Sequence, residues 1–156
     1  MRKVKRIYQT DPWLEPYKDA IEARHERILA AREKIVPGGA GSLSRGVNNH
    51  LYYGLRKEPD GSWVIREWAP NASRIFLIGD FNNWKRTSAY EFKVAGSGNW
   101  ELRLDGMFLG HGDLYKLFIE WPGGGGERIP AYCTRLVQDP ATKVFCAQVW
   151  DPERPY

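Results

Sequence analysis

The stretch WVIREWAPNASRIFLIGDFNNW, residues 63–84, decides how this chain folds. Two short extended runs, Trp63–Trp68 and Arg74–Phe81, flank the turn-forming residues Ala69–Ser73. Valine, isoleucine and aromatic residues fill both runs, a composition that suits strands of a pleated, half-buried surface. The second run ends in Gly-Asp-Phe-Asn-Asn, and Trp84 closes that polar turn. The largest apolar side chain at the end of an exposed-looking loop either folds back into a core or is offered to a flat ligand.

The same extended pattern continues on both sides. Upstream, HLYYGLRK alternates from about residue 48, and Pro59 followed by Asp60-Gly61 signals a hairpin into Trp63. Downstream come YEFKV, an AGSGN turn, WELRLD, DLYKLFIEW and a last candidate strand, VFCAQVW, at 144–150. Short strands separated by Gly, Pro and Asn predict an immunoglobulin-like antiparallel β-sandwich. WPGGGGER reads as a flexible hairpin tip. It lacks the Lys-Ser/Thr pair of a phosphate loop, and no helical pattern follows it.

Before the sandwich, EPYKDAIEARHERILAAREKIV has the period of a helix, with Tyr17, Ala20, Ile21, Ile28, Ala31 and Ile35 on one face. Pro16 suits its first turn, Asp11-Pro12 suits a short turn ahead of it, and PGGAG at 37–41 stops it. The expected organisation is a helical arm and glycine hinge over 1–41, the sandwich over 42–150, and the start of a linker over 151–156. The Pro-rich ending suggests a piece of a longer protein.

Composition bounds the function. The chain has 156 residues, 42% hydrophobic and 27% charged, as in ordinary soluble domains. Aromatic residues reach 13%, with seven Trp and eight Tyr, which keeps a binding surface in view. The net charge is +4 and the pI about 9.1, but Lys and Arg are largely interleaved with Asp and Glu. No nucleic-acid partner is therefore expected. Cys133 and Cys146 have no CxxC spacing and point to a reducing, cytoplasmic setting. There is no apolar run long enough for a membrane span, and no signal-peptide core.

No catalytic constellation stands out. His25, His50 and His111 share no ligand spacing, so neither a metal nor a cofactor is expected. GSLSRG is not a nucleophile elbow. A sugar ring, by contrast, presents a C–H face that packs on an aromatic plane and hydroxyls that need donors and acceptors at the rim. FNNWK places Asn82, Asn83, Trp84 and Lys85 together, and YKLF sets Lys116 among apolar neighbours on a strand. On these residues alone Trp84 is a core residue, an interface residue or a sugar platform. Trp63, Trp68 and Trp100 read as core or interdomain contacts, and Trp150 as a contact for a neighbouring domain.

RIFLIGDFNNW followed by LYKLFIEW resembles carbohydrate-binding module family 48. TDPWLEPYKDAIEARHERI, LSRGVNNHLYYGL and RIPAYCTRLVQDPATKVFCAQVWDP extend the likeness to the N-terminal region of the 1,4-α-glucan branching enzymes of glycogen and starch. The resemblance implies an α-glucan partner (glycogen, starch or maltooligosaccharides), with Trp84 stacking on the sugar and Lys116 assisting. Asn83 would stand at the rim, and Trp121 would be a candidate second wall, although it falls earlier than the second tryptophan of the version of this module found in the glycogen-binding part of a kinase regulatory subunit. The resemblance also implies a catalytic barrel as partner within the same polypeptide, carrying an aspartate nucleophile, a glutamate acid/base and a second aspartate. Such a barrel takes about 250 residues of alternating strands and helices, which these residues do not supply. No branching activity is expected from them alone. The competing expectation is a sandwich that braces the barrel without touching sugar.

Overall fold

The computed structural model describes residues 6–36 and 47–153. Along strand β2 (Trp63–Trp68) the pleat sends Trp63 and Ile65 to one face and Arg66 and Trp68 to the other. Trp63 and Ile65 enter the core, whereas Trp68 is 58% exposed. β2 pairs antiparallel with β1 (Gly54–Lys57) and with β5 (Asn99–Leu104), and β4 (Lys93–Gly96) adds to β5. The first sheet is therefore ordered β1-β2-β5-β4.

The second sheet is built on β6 (Leu114–Trp121). β3 (Arg74–Gly79) runs along one edge of it. Its other edge pairs with β9 (Phe145–Gln148) near Leu114 and with β7 (Gly124–Arg128) beyond, and β8 (Leu136–Gln138) closes on β9. Ile75 and Leu77 of β3 and Tyr115 and Leu117 of β6 face Trp63, Ile65, Trp100 and Leu102 of the first sheet. Each such aliphatic side chain, fully buried, contributes about 1.5–3 kcal/mol. The antiparallel sandwich expected from the alternation is thus present. Trp63 and Trp100 belong to its core.

Four details depart from the expected pattern. Asn49–Tyr52 form a helical turn, α2, ahead of β1 instead of beginning a strand. Ser88–Tyr90, at the start of YEFKV, form a 3-10 turn before β4. Of the glycine run, expected to be a flexible hairpin tip, Gly123 does lie in the hairpin turn, but Gly124–Gly126 belong to strand β7. Its glycines are needed for contact: a Cβ on Gly125 would sit 3.0 Å from the Phe118 ring, and one on Gly124 3.3 Å from the Trp121 indole. Rings press on this strand from both faces. Finally, Trp150, which as a contact for a neighbouring domain was expected to stand bare, has partners in the sandwich: the Arg135 guanidinium lies 3.9 Å from its ring centroid and the His111 ring 4.7 Å away.

The chain separates into two units, Met1–Asn48 and Asn49–Tyr156. In the first, Asp11 accepts the Trp13 N–H at 3.0 Å and caps a 3-10 turn over Pro12–Tyr17, which contains Pro16. Helix α1 follows as Lys18–Ile35, so Pro16 precedes the helix proper. Tyr8 is buried and its hydroxyl donates to Glu22 on α1. The PGGAG hinge and the last residues of the linker lie outside the described residues.

Candidate functional site

Gly79 ends β3 and has no room for a side chain: a Cβ there would lie 2.3 Å from the Leu114 carbonyl oxygen. The chain then turns through Asp80–Asn82. Asn82 braces this turn from within, its Oδ1 accepting the Gly79 N–H at 3.0 Å and its Nδ2 donating to the Leu77 carbonyl at 2.9 Å. Asn83 and Trp84 follow in the left-handed region, at φ 54° and 58°. Two consecutive non-glycine residues there cost of order 1–3 kcal/mol each, a strain that the surrounding structure must hold. The Trp84 N–H donates to the Gly79 carbonyl at 2.9 Å.

This turn throws the Trp84 indole outward, onto the face of the second sheet away from the core, at 36% exposure. Its Nε1 donates to Asp80 Oδ1 at 3.1 Å, and Asp80 Oδ2 accepts the Leu114 N–H at 2.8 Å. After the loop, Arg86 pairs with Glu120 at 3.1 Å and lies 4.5 Å over the Phe118 ring. Both ends of the turn are therefore tied to β6.

Beside the indole runs a groove of about 490 Å³ lined by Trp84, Asp80, Leu114, Val137, Cys146 and the β8–β9 hairpin. Asp139 braces the hairpin turn, accepting the Ala141 and Thr142 N–H groups at 2.8 and 2.7 Å. Those bonds hold the Asp139 carboxyl below its ordinary range. Burial pushes the Cys146 thiol up from its ordinary range.

Of the residues singled out in the sequence, Trp84 and Lys116 share this outer face. Lys116 follows the groove residue Leu114 by one pleat and pairs with Glu127 at 2.9 Å. Asn83 is exposed and supplies the left-handed turn that aims Trp84. Trp121 is not brought to the groove. It stands five positions after Lys116, an odd offset along a continuous strand, so the pleat sends it to the opposite face, where Arg128 lies 5.3 Å from its ring. Sequence reasoning missed Asp80 as the holder of the indole, although its i,i+4 relation to Trp84 inside GDFNNW was the available signal. It also missed the hairpin wall, which the sequence shows only as DPAT.

At the other end of the sandwich, Tyr53, Glu67, Trp68 and Tyr132 line a second cleft of about 460 Å³. Glu67 is only 8% exposed and accepts the Trp68 and Ala131 N–H groups at 3.2 and 3.3 Å. Burial raises its carboxyl above the ordinary range, against those two bonds. Among the described residues, no group of three or more His, Cys, Asp or Glu could hold a metal ion, and no helix is long and apolar enough to cross a membrane.

Residues 52–141, more than half of the chain and all of the Trp84 turn, match the family model described as carbohydrate-binding module 48 (isoamylase N-terminal domain). The chain belongs to the carbohydrate-binding module 48 family. Its curated relatives include 1,4-alpha-glucan-branching enzymes. That of Dictyostelium discoideum is 32% identical over 97% of this chain and 23% of its own length. That of Saccharomyces cerevisiae is 35% identical over 98% of this chain and 24% of its own. The chain thus spans about a quarter of the relatives it matches. Among solved structures, the module is similar to part of the group B Streptococcus pullulanase SAP in complex with maltotetraose (TM-score 0.52, 21% identity, 65% of this chain and 15% of that one). It is also similar to part of the catalytic module of the glycogen-degrading pneumococcal virulence factor SpuA (TM-score 0.51, 23% identity, 64% and 16%). At these identities the structural likeness concerns the module's fold.

Proposed function

We propose that this chain is a non-catalytic α-glucan-binding region of a 1,4-α-glucan branching enzyme, the full form of which transfers α-1,4-linked segments to 6-hydroxyls. One observation carries the reading: the Trp84 indole stands outside the core beside an open groove, held in a strained backbone by a dedicated carboxylate. A ring needed only for packing has no use for that arrangement. Leu114, Val137 and Val144 supply apolar contact for the C–H face of glucose, and Asp80, Gln138 and Thr142 supply rim polarity. The reading is also supported by the family and by relatives named for α-glucan branching. Module binding would raise the local concentration of glucan around a catalytic domain in the same polypeptide. Cys133 and Cys146 are free thiols, which fits a cytoplasmic site of action.

The alternative, a brace for the catalytic domain, is favoured by a different surface. Trp68 and Tyr132 are exposed at the far cleft and would suit a protein interface. The two readings concern different faces and are compatible. The deciding experiment is a titration of the chain and its Trp84→Ala variant with maltoheptaose, read by tryptophan fluorescence and NMR. Saturable shifts that vanish in the variant are expected. No shift in the parent at millimolar sugar leaves the brace alone.

A further inference from the structure

Lys116 is the strand residue to which the resemblance to carbohydrate-binding module family 48 points, yet its side chain is only 12% exposed. The ammonium lies 2.9 Å from Oε2 of Glu127, whose side chain is 50% exposed. The Lys116 side chain is therefore mostly covered, whereas half of the Glu127 side chain reaches solvent. The ladder register explains the meeting. Glu127 stands opposite Phe118, the next residue after Lys116 on the same face of β6. The only other residue of β7 on that face is Gly125, which has no side chain. The pair lies alongside the groove. Leu114 and Cys146 line the groove, Lys116 is one pleat from Leu114, and both Lys116 and Glu127 act electrostatically on the Cys146 thiol.

An ammonium only donates and a carboxylate only accepts. A mostly covered lysine already committed to an ion pair is a poor direct partner for a sugar, but it orients the neighbouring carboxylate and favours its ionised form. That carboxylate can then accept from two adjacent hydroxyls, as it does from a forked donor. We propose that Glu127, oriented by Lys116, is a ligand-contacting residue that accepts hydrogen bonds from adjacent 2- and 3-hydroxyls of an α-glucan chain running from Trp84 along the outer face of β6. Lys116 is then a positioning residue. This rests on the sugar-binding reading of the groove. It differs from a plain surface ion pair, which contributes little to stability and would have no influence on which sugar binds.

The test uses the whole chain, titrated calorimetrically with β-cyclodextrin and with its 2,3-di-O-methyl derivative. That derivative keeps the ring C–H surface but has lost the donors. The parent is expected to bind the methylated ring about tenfold more weakly. Glu127→Gln is expected to lose about tenfold for β-cyclodextrin and to show almost no further loss on methylation, because the two changes remove one interaction. Lys116→Met should show a smaller loss with reduced discrimination. Thermal unfolding checks that each variant is folded, and Glu127→Asp, which keeps the charge, recovers part of the discrimination if Glu127→Gln is destabilised. The proposal is overturned if Glu127→Gln and Glu127→Asp discriminate between the two rings as the parent does, while Trp84→Ala abolishes binding. In that case the groove reading survives. If the parent binds neither ring at millimolar concentration, the groove reading fails and takes this one with it.

Discussion

The Asp80 carboxylate lies between two partners: it takes the Trp84 indole N–H on one oxygen, at 3.1 Å, and the Leu114 N–H on the other, at 2.8 Å. The orientation of the exposed ring is therefore set by a side chain four residues earlier and referred directly to β6. Removing that carboxylate should free the indole without opening the core. Asp80→Ala is expected to weaken maltoheptaose binding about fivefold, the worth of roughly 1 kcal/mol of hydrogen bonding. Asp80→Asn, which keeps one acceptor oxygen but sets an amide donor against the second N–H, should recover only part of it. Calorimetry reads the affinity, and the Trp84 indole N–H resonance reads the orientation. An unmoved resonance in Asp80→Ala would show that other contacts hold the ring.

The left-handed backbone at Trp84 separates function from stability. Glycine adopts φ 58° at no steric cost, whereas alanine pays about 1 kcal/mol. Trp84→Gly should therefore be more stable than Trp84→Ala by about that amount in urea denaturation, while both lose the sugar-dependent shifts. Equal stabilities would mean that the turn relaxes once the indole is gone.

Gly79 tests whether the turn depends on close approach. Its φ is 177°, an extended value open to any residue, so a cost can come only from the contact of a new Cβ with the Leu114 carbonyl oxygen. Gly79→Ala is expected to lose at least about 2 kcal/mol, a fall of about 8 °C or more in Tm for a domain of this size. A Tm within a degree or two of the parent would contradict this.

Glu67 gives a pH dependence of definite sign. Its carboxyl titrates above its unfolded-state value because burial disfavours the ion. Its contribution to stability is thus fully present below the unfolded value of 4.5 and is lost as pH rises through the raised native value. The Tm of the parent minus that of Glu67→Gln should accordingly increase as pH is lowered from neutrality toward 4.5. A difference that stays flat or shrinks over that range would rule out Glu67 as the titrating group.

How much of this was legible beforehand varied with the length scale of the cause. The short apolar and β-branched runs Trp63–Trp68 and Arg74–Ile78, and the turns between runs, announced the sandwich because strand composition and turn chemistry are local. Trp84 was picked out for the same reason: an aromatic residue closing a polar turn is visible in one line of sequence. HLYY escaped because four residues cannot distinguish a helical turn from a strand start. The glycine run escaped because its strand is stabilised by the rings of Phe118 and Trp121, several residues away. Trp121 was offered as a second wall by the family resemblance, and only the parity of a strand held straight through both positions separates it from Lys116. The exposure difference within the Lys116–Glu127 pair depends on a hairpin register that no local pattern reveals.

The anchoring of the Trp84 turn through Asp80 at one end and Arg86 at the other has a kinetic corollary. A platform moored twice to the same strand arrives at its ligand already shaped, so capture requires little reorganisation and little loss of loop freedom. Encounter should then be quick, and release limited only by a modest set of contacts. Such a surface is suited to brief, repeated sampling of many chains on a branched polymer more than to long retention of one.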